Sequence, residues 1–135
     1  MLAEERNREL TSIGPNTKMG RLLRRYWYPV AVATDVAQFP KQVRILGENL
    51  ALYRDRSGRY GLLDESCPHR GASLAYGISD DRGLRCAYHG WLFDAKGQCL
   101  EQPAESPTSS FHERIRIAAY PVREMGGMLW AYLGP

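Results

Sequence analysis

The chain has 135 residues, 44% of them hydrophobic, with a formal net charge of +3; this suits one domain with its own core and excludes the strongly basic balance of a nucleic-acid binder. Three cysteines, an odd number, exclude a disulfide framework. No run approaches the roughly 20 apolar residues that span a bilayer, and the charged opening MLAEERNREL lacks the apolar middle of a secretory signal. The expected setting is reducing and cytoplasmic, with neither membrane nor nucleic acid as partner.

Residues 1–17 read as a weakly ordered N-terminal segment, helical only where packed. GPNTKMG (14–20) carries turn chemistry. In RLLRRYWYPVAVA, Leu22, Leu23 and Tyr26 suit one or two helical turns, Pro29 is expected to stop them, and VAVA reads as extended. The basic run from Lys18 to Arg25 reads as a solvated or subunit-facing surface. QVRILG and then NLALYRD alternate, with Leu50, Leu52 and Tyr53 as buried candidates. RSG after Asp55 signals a hairpin, and YGLLDE returns. GLRCAYHGWLFDAKGQCLEQP reads as two strands meeting at DAKG, and QPAESPTSS (102–110) as a polar loop. RIRIAAYPV, a turn at REMGG and MLWAYLG complete the chain. Short strands with turns every ten residues or so predict an antiparallel all-β domain.

Chemistry concentrates in two of the turns. One residue separates Cys67 from His69; sixteen intervening residues then lead to Cys86, and two residues separate Cys86 from His89. Two loops flanked by β segments would each deliver one thiolate and one imidazole to a common point. Zinc accepts such a set tetrahedrally, and ligand count alone does not exclude it. Zinc-finger spacing, however, pairs Cys with Cys and His with His. A mixed pair per loop suits a two-iron group with unlike ends, one iron taking both cysteines and the other both histidines across two bridging sulfides. Cys99 reads as a packed free thiol and His112 as a loop or strand-edge residue. Asp64 and Glu65 are either solvated or hold a loop by accepting backbone hydrogen bonds.

CPHRG and CAYHGW resemble the two cluster-binding loops of Rieske proteins. With LLRRYWYPVA, GRYGLLDESCPHRGASL, GLRCAYHGWLFDAKGQCLEQPAE and YPVREMGGMLWAYLGP, the chain is similar over roughly residues 14–135 to the N-terminal Rieske domain of phthalate-dioxygenase-like, aromatic-ring-hydroxylating oxygenases. The resemblance implies a Rieske fold: small packed antiparallel sheets with two cluster-binding loops and a short helical N-terminal segment, the domain running over 18–135. It implies a 2Fe–2S cluster on Cys67, His69, Cys86 and His89. Around it, Gly71 and Gly90 would let the backbone approach the sulfides, and Pro68 would stiffen the first loop. Tyr88 would aim its hydroxyl at a cluster sulfur and Trp91 would shield the cluster, unless both are plain core aromatics. Arg70 would be a partner-facing charge, or a simple surface cation.

Exchanging two thiolates for neutral imidazoles raises the potential from about −400 mV toward roughly −150 to +300 mV. High-potential relatives carry an extra disulfide between the loops; Ala72 and Tyr88 stand at those places, so the low end is expected. The electron donor implied is a reductase or ferredoxin. The acceptor implied is a mononuclear Fe(II) in a catalytic domain of the same or a neighbouring subunit of a homotrimer. That iron takes two His and one carboxylate, and only His112 remains after His69 and His89 are assigned. The expectation is therefore the Rieske portion of a larger oxygenase. A freestanding Rieske ferredoxin and a zinc-stabilised binding module are the alternatives.

Overall fold

The computed structural model describes residues 3–135. Within the N-terminal segment, expected to be weakly ordered or helical only where packed, Glu4–Thr11 form a helix, α1, which has no buried residue; Met1 and Leu2 lie outside the described residues. The acidic side chains of Glu4 and Glu5 sit in its first turn, where the helix dipole favours them. A Lys18–Glu9 ion pair at 2.6 Å ties it to α2 (Lys18–Leu23). Thr17 caps α2 by accepting the N–H of Gly20 at 3.1 Å. The helix ends at Leu23, earlier than Pro29, and Tyr26 is exposed outside it.

Pro29 in fact lies inside a strand, β1 (Trp27–Val32). The reason is its place: β1 is an edge of a three-stranded sheet, and its pairing register shifts between Pro29 and Ala31. A residue without an N–H is accommodated at an edge or a bulge and not in a central ladder. Next follow β2 (Lys41–Ile45), β3 (Glu48–Arg54) and β4 (Tyr60–Asp64), two successive hairpins. Asp55 shapes the second turn, its carboxylate accepting from Ser57 Oγ at 2.6 Å and from Arg59 N and Nε at 2.9 and 3.1 Å. Burial alone would raise this carboxyl; the hydrogen bonds outweigh it and hold Asp55 below its usual range.

Downstream, β5 (Ile78–Asp80), β6 (Gly83–Arg85), β7 (Leu92–Phe93) and β8 (Cys99–Glu101) form a four-stranded sheet in sequence order. The stretch 83–103 thus holds three strands, not two, because CAYHGW is itself a turn between β6 and β7. β9 (Ala119–Tyr120) closes the sheet β2-β3-β4-β9. β10 (Val122–Met125) and β11 (Met128–Tyr132) meet at a two-residue Gly126–Gly127 turn, tighter than the REMGG turn expected. All the strand pairs are antiparallel. Among the described residues no helix is long and apolar enough to cross a membrane.

The β2-β3-β4-β9 sheet is the middle layer. Leu50, Ala51, Leu52 and Tyr53 are all buried, so β3 does not alternate between core and water. Leu50, Leu52 and Leu62 pack with β1 and β11, whereas Ala51, Tyr53 and Leu63 pack with Cys67, Cys86, Trp91 and Phe93. A strand buried on both faces reads as a continuous apolar run. Arg24 departs from the solvated face expected of the basic run: it is buried, paired with Glu48, and donates to the carbonyl of Leu46 at 3.2 Å.

Gly83 lets β6 approach β7 closely. Its φ is +154°, and a Cβ there would overlap the carbonyl oxygen of Phe93. Gly83→Ala is expected to cost more than about 2 kcal/mol, since neither backbone segment can yield cheaply. A denaturant midpoint unchanged from the parent protein would remove this packing argument.

Candidate metal centre

Loop 1 follows β4 and loop 2 joins β6 to β7, yet they are the same turn. In loop 1 the N–H of Cys67 donates to the carbonyl of Ala72 at 2.9 Å and that of Gly71 to Cys67 at 2.8 Å. In loop 2 the N–H of Cys86 donates to Trp91 at 2.8 Å and that of Gly90 to Cys86 at 3.0 Å. The flanking pairs agree, Ser66 opposite Ser73 and Arg85 opposite Leu92. Cysteine opens each turn. The fifth place needs a left-handed residue, and glycine supplies it, with φ of +71° at Gly71 and +77° at Gly90. Histidine takes the third place in loop 1 and the fourth in loop 2. The unequal Cys–His spacings are therefore two positions on one template.

The turns sort the donors by depth. Cys67 and Cys86 are each only 2% exposed, beneath the loops in one core. His69 is exposed, His89 is half-buried, and their ring centroids lie 4.4 Å apart, edge to face. Burial pushes the Cys67 thiol up to about 11; hydrogen bonds from the N–H groups of His69 and Arg70 oppose this, and the neighbouring Cys86 adds to it. His89 is held below its ordinary value by desolvation and then by the charges of His69 and Arg70, which favours the neutral, ligating imidazole. Two inner sulfurs and two outer nitrogens, side by side, suit a two-iron group better than one tetrahedral ion. The residues present fit a 2Fe–2S cluster.

The aromatic neighbours divide. Trp91 is a core residue and also a wall: its ring stacks on His69 at 4.7 Å and 4°, with Phe111 edge-on at 6.5 Å. Tyr88 is 60% exposed, so the core-packing reading is wrong for it, and its ring lies 3.8 Å from that of His89. Arg70 is exposed beside the histidines.

Cys99 is brought into the same core but into neither loop. Its thiol lies 3.5 Å from the carbonyl of Glu101, and burial pushes it up to about 11. His112 sits in a short 3-10 turn, Phe111–Arg114. Asp64 holds loop 1 by accepting the N–H of Ser66 at 2.8 Å. Glu65 holds it through side chains, accepting from Ser73 Oγ at 2.6 Å and Gln42 Nε2 at 2.8 Å. Gln42 carries no local signal of that role, because it lies 23 residues from Glu65 on β2; Ser73 meets Glu65 from the far end of the same loop. Arg85 also escaped the sequence reading, although it stands next to Cys86.

The family model for the Rieske [2Fe-2S] domain matches residues 26–121. The chain is 51% identical to the oxygenase subunit of 5,5'-dehydrodivanillate O-demethylase from Sphingobium sp. (strain NBRC 103272 / SYK-6), over 100% of this chain and 33% of that protein. It is 41% identical to the phthalate 4,5-dioxygenase oxygenase subunit of Pseudomonas putida, over 100% of this chain and 31% of that one. Among solved structures it resembles apo dicamba monooxygenase, with a TM-score of 0.74 and 34% identity over 83% of this chain and 34% of the other. The chain thus spans about a third of the length of the relatives it matches.

Proposed function

This chain belongs to the Rieske [2Fe-2S] domain family, and from that premise we propose that it carries single electrons as the iron–sulfur part of an aromatic-ring-hydroxylating or O-demethylating oxygenase. The observation that carries this reading is one turn used twice, placing two thiols in the core and two imidazoles together at the surface. Cys67 and Cys86 would hold the inner iron, and His69 and His89 the outer one. When bound, the cluster takes up and releases one electron.

The chain's own residues set the conditions for that exchange. The N–H groups of His69 and Arg70 aim at the Cys67 sulfur and stabilise its negative charge. Trp91, Leu84 and Leu74 exclude water from the thiolate side. His69 and His89 meet solvent, so a partner docks over them and over Arg70. The donor in this reading is a reductase or ferredoxin. The acceptor is a mononuclear iron in the catalytic domain of the same or a neighbouring subunit of a homotrimer. A two-His, one-carboxylate site needs a histidine pair that the chain, with His112 alone left over, does not supply. The domain is taken to run over 18–135, because α2 and Arg24 are packed into it, and the setting to be cytoplasmic.

Metal and sulfide analysis with electron paramagnetic resonance of the reduced protein tests this. About two irons and two sulfides per chain are expected, with a rhombic spectrum showing nitrogen ligation. Because no disulfide links Ala72 and Tyr88, the potential is expected near the low end, about −150 mV. A colourless protein holding one zinc, or a cluster near +300 mV, would contradict it.

A further inference from the structure

Arg85 ends β6, one residue before Cys86. Its Nη1 donates to the carbonyl of Gly90 at 2.8 Å. Its Nε and Nη2 donate to Asp80 Oδ2 at 3.1 and 2.9 Å, and Nη2 also donates to Glu101 Oε2 at 2.8 Å. One guanidinium thus pins the closing residue of loop 2 to β5 and β8. Its side chain is only 25% exposed, so these bonds are partly shielded from water. Asp80 is correspondingly held below its usual carboxylate range, first by the hydrogen bonds from Arg85.

Loop 1 shows that the turn closes without such a clamp. Ser66 occupies the matching place before Cys67, and among the described residues no side chain donates to the carbonyl of Gly71. The difference between the loops is where histidine sits. His69 takes the third place, and its ring is set by stacking on the buried face of Trp91. His89 takes the fourth place, directly before Gly90, and among the described residues its aromatic neighbours are the exposed Tyr88 and His69. The N–H of Gly90 is bound by Cys86 and its carbonyl by Arg85, so both backbone dihedrals after His89 are held.

We propose that Arg85 is the positioning residue of His89: its fork onto Gly90, Asp80 and Glu101 sets the direction in which that imidazole faces the outer iron. The proposal rests on the cluster reading above. Trp91 does for His69 by stacking what Arg85 does for His89 through the backbone.

The test compares cluster-loaded parent protein with Arg85→Gln, Arg85→Lys and Asp80→Asn. The parent should bind iron and sulfide and give a rhombic signal. In Arg85→Gln the signal should broaden as the imidazole samples several orientations, and a chelator should strip iron at least about tenfold faster, the usual size of effects on groups that orient ligands. Arg85→Lys keeps the charge but lacks the planar fork, so it should show the same broadening even if the glutamine variant fails to fold. Asp80→Asn, which frees one side of the guanidinium, should shift both readouts in the same direction by less. A folded Arg85→Lys protein with the parent's line shape and iron release, and only a lower melting temperature, overturns the proposal. A parent protein without the rhombic signal overturns the cluster reading instead.

Discussion

Cys86→Ala is expected to yield a folded, colourless protein with iron and sulfide near zero, whereas Cys99→Ala should keep the full complement. Both thiols lie in one core, 2% and 1% exposed, so burial does not separate them. Geometry does. Cys86 opens loop 2 with its N–H and carbonyl both engaged in the turn, and its sulfur meets that of Cys67. Cys99 lies in β8 with its sulfur near the carbonyl of Glu101. The packing loss in either variant is about that of one buried methylene, roughly 0.8 kcal/mol, too small to unfold the domain. The separate core of Leu50, Leu52, Leu62 and Leu129 is untouched. Iron and sulfide assays on the two purified variants decide the matter, and two irons retained in Cys86→Ala would falsify the ligand assignment.

His89→Cys is expected to keep a cluster and lower its potential by about 125 mV, half of the roughly 250 mV gap that two such exchanges span between the low end of the Rieske range and plant-type ferredoxins. The cause is charge. A neutral imidazole gives way to a thiolate, and adding an electron beside an extra negative charge costs more. His69→Cys should act in the same direction. Redox titration followed by visible absorbance reads the shift. A cluster-containing variant at the parent potential means that His89 is not a ligand.

The chemistry of this protein was legible because it is local. Cys67, His69, Cys86 and His89 stand out as candidates by type and spacing. Gly71 and Gly90 were expected to approach the sulfides, whereas in the fold their N–H groups close the two turns on the carbonyls of Cys67 and Cys86. Hairpins such as Asp55–Arg59 were legible for the same reason, since a few adjacent residues satisfy the turn's own hydrogen bonds. Pro29 misled because its tolerance depends on whether β1 is an edge strand, a property of sheet order. NLALYRD misled because alternation assumes one wet face, and β3 has none. Arg24 resembled any surface cation until Glu48 and Leu46 were seen around it.

Type and spacing alone thus singled out four candidate donors and gave each loop an unlike pair. Folding alone decided that the loops repeat one turn, that thiols lie inward and imidazoles outward, and that Arg85 reaches across loop 2. Candidate ligands are written residue by residue, whereas depth and orientation arise from sheets that bring distant segments together, where burial and pairing outweigh local preference.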